Sequence, residues 1–150
     1  IYKDSFSYIL KSELKSSEPI MVYLSTVKKE VNEIKLKKFE SIFFNFDKSD
    51  ILAKYKERLD KIVEFLNKYP QVSLELSSYT DCRGSNSYNL KLSNRRNASV
   101  ADYIKNRVEN PERVSGKGYG EKNLIYKGKC SKLSKTEHQE NRRTDFKLKF

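Results

Sequence analysis

The chain has 150 residues, with 31 lysines and arginines against 20 aspartates and glutamates, and a formal net charge of +11. Hydrophobic residues make up 37% of it, enough to bury one ordinary core, and no apolar run is long enough to cross a bilayer. We therefore expect one main domain with a short appendage. The chain begins at Ile1 without a charged and then apolar leader, as expected for a piece of a longer precursor.

The positive charge would suit an anionic partner such as nucleic acid, a lipid surface or a cell-wall polymer. Direct nucleic-acid recognition is disfavoured, because the sequence has no zinc-finger spacing, helix-turn-helix pattern or ribonucleoprotein motif, and its lysines are spread along the chain. Charge alone does not choose among the remaining partners.

The front section carries no recognisable motif. Residues 20–24 (IMVYL) form a short apolar run that predicts a strand, and a lysine-rich segment follows at 28–38. We assign residues 1–35 to an N-terminal extension and residues 36–150 to the main domain. The extension is either the tail of a preceding domain or an extra strand packed on the main domain.

The main domain begins with a strand that leads into a helix. Ile42, Phe44 and Phe46 alternate as residues of a strand do. Asp47, at the end of this strand, suits a helix N-cap, and its second oxygen could still face a ligand. The helix ends at Pro70. Its apolar face comprises Ile51, Tyr55, Leu59, Ile62, Val63 and Leu66.

A second strand and helix follow, and then two more strands. The second helix runs from about Ser87 to Arg107, a third strand starts near Arg113, and residues 121–140 read as a polar, lysine-rich excursion. The resulting order predicts an α+β sandwich, a mixed sheet with helices packed on one face. The inward residues of the second strand are Val72, Leu74 and Leu76, and the residues that alternate in the closing strand are Phe146, Leu148 and Phe150.

An acid and a base flank the turn between the second strand and the second helix. Asp81 falls where the strand ends, and Arg96 lies on the apolar row of the helix with Leu92, Val100 and Ile104. A buried guanidinium needs a partner, for which Asp81 is the nearest candidate. The pair either forms a structural salt bridge or receives a small zwitterion, with Arg96 binding a carboxylate and Asp81 an ammonium group.

This segment resembles a known family signature. Residues 79–104, YTDCRGSNSYNLKLSNRRNASVADYI, are similar to the pattern TDxxGxxxYNxxLSxxRAxxVxxYL of the OmpA-like peptidoglycan-binding family. The resemblance extends over about 115 residues through IFFNFDKSDI at 42–51, GKGYGE at 116–121 and NRRTDFKL at 141–148. The family includes outer-membrane protein A, the peptidoglycan-associated lipoprotein and the flagellar stator protein B, and its β-α-β-α-β-β fold agrees with the predicted order.

The resemblance implies non-covalent binding of peptidoglycan through the diaminopimelate residue of its stem peptide. It implies a periplasmic domain associated with the outer membrane of a Gram-negative bacterium, with envelope proteins as further partners. Asp81 and Arg96 match the principal ligand-binding acid and base. Thr80, Asn89, Phe46, Asp47 and Leu92 match residues that line the same pocket. Ser78, Tyr79 and Asn97 depart from the family pattern, and Tyr79 could reshape the rim of the pocket.

Cys82 and Cys130 are the only cysteines. Two cysteines with a single distant histidine do not supply the four ligands of a zinc site, so we expect neither a metal nor a cofactor. In the oxidising periplasm that the resemblance implies, a disulfide would tie the ligand loop to the excursion and hold Asp81 in place. The alternative is two separate thiols.

An enzyme is the less favoured interpretation. A cysteine nucleophile would need a nearby histidine, and His138 lies in TEHQE, which resembles a solvated surface. Asp47 and Asp81 could be paired carboxylates for glycoside cleavage, but Arg96 would hold Asp81 ionised. We therefore predict a non-catalytic binding module. The alternative is a protein-interaction domain that keeps the fold without binding cell wall.

The arginines of NRR, Arg142 and Arg143, lie at the start of the closing strand. They could be taken for a phosphate or wall clamp. The resemblance implies a packing and hydrogen-bonding role beside the site, so we leave both out of the ligand-binding set.

Overall fold

A computed structural model describes residues 20–150, and the predictions for residues 1–19 lie outside this range. The chain divides into two units, residues 1–37 and 38–150. In the first unit the described residues form helix α1, Ile20–Leu36. The strand predicted at 20–24 is wrong. A short apolar run does not distinguish a strand from a helix. The lysines, glutamates and leucine that follow it favour a helix.

The second unit is built on a four-stranded mixed sheet. Its strands are β1 (Ile42–Phe43), β2 (Ser73–Ser78), β3 (Val114–Gly118) and β4 (Arg143–Lys149), in the spatial order β1-β4-β2-β3. Strand β4 pairs antiparallel with β1 and β2, whereas β2 and β3 are parallel. The helices of this unit are α2 (Lys56–Lys68), α3 (Asn86–Lys105) and α4 (Lys135–Asn141). This arrangement confirms the predicted α+β class.

The core lies on the side of the sheet where α3 packs on β2 and β3 and α2 packs on α3. Leu74 and Leu76 of β2 are fully buried, as alternation predicts, and the buried residues of α2 are Leu59, Ile62, Val63 and Leu66. Phe150, predicted as the last residue of the closing strand, is exposed and lies beyond the end of β4. None of the helices in the described part of the chain is both long and apolar enough to cross a membrane.

Helix α3 approaches β3 closely because β3 carries glycines. A Cβ on Gly118 would lie 2.3 Å from the backbone nitrogen of Asn94, and the Gly118 N–H donates to Asn94 Oδ1 at 2.9 Å. One residue beyond Tyr119, Gly120 has φ +60 and donates to Ser93 Oγ at 2.8 Å. These bonds hold the middle of α3, and with it Arg96, against the end of the sheet.

Three segments of this unit differ from their predicted form. The first strand ends at Phe43, so Phe46 and Asp47 lie beyond it. Helix α2 begins at Lys56 after a short 3-10 turn at Ala53–Tyr55, so Asp47 is far from its N-terminus and does not cap it. The excursion at 121–140 contains α4, which a capping box at Ser134 and Glu137 starts. Because α4 has a polar sequence, its hydrophobic periodicity is too weak to reveal it.

Candidate functional site

A pocket of about 200 Å³ lies at the end of β2, between the segment after β1, the N-terminal half of α3 and the end of α4. It brings together all seven residues that the sequence assigned to ligand binding, and four that it did not. The predicted residues are Phe46, Asp47, Thr80, Asp81, Asn89, Leu92 and Arg96. The additional residues are Arg83, Gly84, Tyr88 and Arg142.

Asp81 is held by two guanidinium groups. Arg83 donates from Nη2 to Oδ2 at 2.6 Å and from Nε to Oδ1 at 3.2 Å, and its backbone N–H donates to Oδ1 at 3.0 Å. Arg142 Nη1 donates to Oδ2 at 2.9 Å. Burial by itself would raise the pKa of Asp81, but the hydrogen bonds from Arg83 and Arg142 outweigh it and hold the pKa below its usual value. The carboxyl group is therefore ionised at neutral pH.

Arg96 is completely buried, as its place on the apolar row of α3 predicts. It donates to three backbone carbonyls: those of Lys48 at 2.8 Å, Tyr79 at 3.0 Å and Asn45 at 3.2 Å. Of the two alternatives for this pair, the structural salt bridge is not found, because Arg96 and Asp81 share the pocket without a direct ion pair among the described contacts. Burial and then the neighbouring charge of Arg142 lower the pKa of Arg96 to about 10, so the guanidinium stays protonated at neutral pH.

Asp47 and Phe46 form the outer wall of the pocket. Asp47 has φ +58, a left-handed conformation that aspartate tolerates better than most residues, and it accepts a hydrogen bond from the Tyr88 hydroxyl. This bond raises the pKa of Tyr88. The Phe46 side chain is 57% exposed, and the Arg83 guanidinium carbon lies 4.2 Å from the centre of its ring. The exposed ring and Arg83 together border the entrance.

The remaining predicted residues lie deeper. Thr80 is buried and its Oγ1 has no hydrogen-bond partner in the described structure, which leaves a polar atom for a ligand. Asn89 Nδ2 donates to Glu121 Oε2 at 2.6 Å and to the Asp81 carbonyl at 3.4 Å, so it fixes the backbone of the acidic residue. Leu92 is buried and supplies an apolar wall.

Arg142, which the sequence left out of the ligand-binding set, lines the pocket and makes hydrogen bonds there, whereas Arg143 lies elsewhere. Arg142 lines the pocket and also donates to the Phe44 carbonyl at 2.9 Å. Arg143 pairs with Asp145 at 3.0 Å and lies over the Tyr79 ring. Successive residues of an extended segment point to opposite faces of the sheet. This alternation predicts that the two adjacent arginines point to different faces, so assigning one of them to the far face would have left the other at the site.

The three departures from the family pattern lie outside the pocket lining. Tyr79 stacks on Tyr119, with ring centres 5.6 Å apart, and its side chain does not shape the rim as expected. Ser78 and Asn97 are buried and bonded to each other, with Asn97 Nδ2 donating to Ser78 Oγ at 3.2 Å. These two buried polar residues, which depart from the family pattern, therefore hydrogen-bond to each other outside the pocket lining.

Cys82 and Cys130 form a disulfide, as expected. The bond joins the turn that carries Asp81 to the excursion that carries α4. The interpretation of His138 as distant and solvated is wrong, since it is 7% exposed and a ring nitrogen lies within 4.8 Å of both sulfur atoms. With both sulfurs in a disulfide, Cys82 is not a free nucleophile and the two cysteines are not thiolate ligands for a metal.

The chain is similar in sequence to curated proteins named peptidoglycan-associated lipoprotein and outer membrane protein A. It is 36% identical over 81 residues to the peptidoglycan-associated lipoprotein of Brucella melitensis, covering 54% of the chain and 48% of that protein. It is 33% identical over 91 residues to outer membrane protein A of Serratia marcescens, covering 59% of the chain and 25% of that protein. The chain thus spans about half, or less, of the length of these relatives.

The fold has solved counterparts. The crystal structure of the peptidoglycan-associated lipoprotein from Burkholderia pseudomallei superimposes with a TM-score of 0.67 at 24% identity, covering 75% of this chain and 91% of that one. The OmpA family model matches residues 43–142, a range that contains the whole pocket. The chain therefore belongs to the OmpA family.

Proposed function

We propose that residues 36–150 form a non-catalytic module that binds peptidoglycan and anchors its parent protein or an envelope complex to the cell wall. The observation that carries the proposal is the charge arrangement of the pocket. Arg96 is a buried guanidinium with no carboxylate partner among the described residues, and the ionised Asp81 lines the same small pocket. The names of the relatives from Brucella and Serratia are consistent with an envelope role.

The ligand group that suits this arrangement is the free end of diaminopimelate. A guanidinium has five N–H groups, and Arg96 uses three of them on backbone carbonyls, which leaves two for a ligand carboxylate. The ammonium group would bind Asp81, with the unpartnered Thr80 hydroxyl beside it. For the ammonium group to bind, Arg83 would have to break its hydrogen bond to at least one Asp81 oxygen. The Arg83 side chain is 41% exposed and can turn toward solvent.

The proposed location is the periplasm of a Gram-negative bacterium, in association with the outer membrane through parts of the parent protein outside this chain. Residues 1–35 would be an extension that links the module to those parts. Catalysis is not part of the proposal, since the two pocket carboxylates, Asp47 and Asp81, are engaged by Tyr88, Arg83 and Arg142, and the pKa of Asp81 is lowered rather than raised.

One observation favours the second candidate, a protein-interaction domain without a wall ligand. Both oxygens of Asp81 accept hydrogen bonds from the protein itself, so the site is satisfied when empty. A domain that had lost its ligand would keep the acid for this structural purpose.

Pull-down with insoluble cell wall, combined with calorimetric titration of free diaminopimelate, tests the proposal. We expect saturable binding by the wild type, and a loss of at least tenfold in affinity for Arg96→Met and Asp81→Asn. Lys91→Met is the matched control, because Lys91 is an exposed cation of α3 outside the pocket lining and its replacement should leave binding normal. Binding that survives in both pocket variants, or a wild type without saturable signal, would overturn the proposal in favour of the interaction domain.

A further inference from the structure

His138 is the one histidine of the chain and lies beside the proposed ligand site without lining it. It is in α4, and its Nδ1 lies 4.0 Å from Asp81 Oδ2. This distance is too long for a hydrogen bond but close enough for a strong charge interaction. Nδ1 is buried and has no hydrogen-bond partner in the part of the chain that the structure describes. The ring is therefore aimed at the acid without being bonded to it.

We propose that His138 is a positioning residue for Asp81 whose protonation weakens the binding of an ammonium-bearing ligand. The inference rests on the proposed function. The neutral ring leaves Asp81 with its two guanidinium partners, Arg83 and Arg142. The protonated ring places a third cation against the same carboxylate, and this cation opposes the arrival of a ligand ammonium group.

The other charged groups around His138 include two guanidiniums and two carboxylates. Arg142 directly follows α4, the helix that contains His138, and Arg83 contacts Asp81 from the turn after β2. Both guanidiniums are permanently charged. The pKa of Asp81 is lowered, chiefly because the arginine hydrogen bonds outweigh its burial, and that of Glu137, next to His138, is lowered by the hydrogen bonds at Ser134. The nearby cysteines form a disulfide and carry no proton.

Few other groups in the chain or in diaminopimelate change charge near neutral pH. Histidine is the side chain that ordinarily titrates between about pH 5 and 8, and the chain has one. The amino and carboxyl groups of diaminopimelate do not change charge in that interval, since carboxyl groups titrate well below it and amino groups well above it. A change in affinity across the interval therefore reports His138, apart from any small effect of the chain's terminal amine.

The test is calorimetric titration of diaminopimelate at pH 5.5, 6.5, 7.5 and 8.0 with the wild type, His138→Gln and Lys135→Gln. We expect wild-type affinity to fall about threefold to tenfold from pH 8.0 to 5.5, and His138→Gln to bind equally at every pH. Lys135→Gln removes an exposed charge from the same helix and should keep the wild-type pH profile.

Nuclear magnetic resonance of the wild type gives a second readout that needs no variant to fold. Because linkage is reciprocal, saturation with diaminopimelate should move the titration midpoint of the His138 ring to lower pH. Saturable binding whose affinity is flat across pH, or an unchanged ring midpoint, would overturn the role of His138 and leave the proposed function intact. No saturable binding at any pH would overturn the proposed function itself, and the inference with it.

Discussion

Arg142 Nη1 lies 2.9 Å from Asp81 Oδ2, and both side chains are buried at the base of the pocket. The arginine comes from the end of α4 and the aspartate from the turn after β2, 61 residues earlier in the chain. The bond therefore joins the segment between α4 and β4 to the acid of the proposed site. Removing Arg142 would leave the buried Asp81 carboxylate with the more exposed Arg83 as its remaining guanidinium partner, which is costly.

Replacing Arg142 by methionine should destabilise the domain by about 3 kcal/mol, because Asp81 would lose its buried partner. Urea unfolding at pH 7 measures this loss. Arg143→Met provides the comparison within the same motif, because Arg143 pairs with Asp145 outside the pocket lining. Arg143→Met should leave diaminopimelate binding unchanged, whereas Arg142→Met should weaken it because Arg142 holds the Asp81 carboxylate in place in the pocket. Equal binding by both variants would show that Arg142 is dispensable to the site.

Stability should fall in acid through Asp81. Its folded-state pKa is lowered, because the hydrogen bonds from Arg83 and Arg142 outweigh burial, so its contribution is present above the unfolded-state pKa, about 3.9. That contribution is lost as the pH falls below about 4 through the folded-state value. Urea unfolding of the wild type and Asp81→Asn at pH 7 and pH 3 should give a large stability difference at pH 7 that shrinks at pH 3. A difference that does not change with pH would contradict this origin.

Asn97 and Ser78 should be energetically coupled. Asn97 Nδ2 donates to Ser78 Oγ and to the carbonyls of Leu76 and Lys117, each at 3.2 Å. Asn97→Ala should destabilise the domain by about 1 to 3 kcal/mol, because buried acceptors lose their donor. A double-mutant cycle with Ser78→Ala should give a coupling energy of about 0.5 kcal/mol or more. Additive losses would mean that the two departures from the family pattern are independent.

The disulfide should stabilise the domain and the turn beside the site. Its cysteines are 48 residues apart, for which the chain-entropy model gives about 4 kcal/mol. The double variant Cys82→Ser, Cys130→Ser should unfold at correspondingly lower urea concentration. It should also bind diaminopimelate more weakly than the wild type, because Cys82 is next to Asp81. Reductant should shift the wild type toward the variant and leave the variant unchanged, which serves as the control.

Much of the fold and the site follows from local patterns. Alternation in β2 and the helical row of α3 predict which side chains are buried, since both reflect simple backbone periods. The turn between them places Asp81 and Arg96 at one pocket. Predictions from the sequence are wrong where an apolar run is short or where a helix is mostly polar. The run at 20–24 belongs to helix α1, and polar α4 was read as an irregular excursion.

By itself, the sequence determined the order of the β2–α3 unit, the inward direction of Arg96 and the acid at the end of the strand, because each depends on neighbours in the chain. Only the tertiary structure decided the partners. Arg96 binds backbone carbonyls rather than Asp81, and Asp81 is held by Arg83 and Arg142. It also brought His138 to 4.0 Å from that acid. Contacts between residues far apart in the chain depend on how strands and helices pack, and no local period encodes that packing.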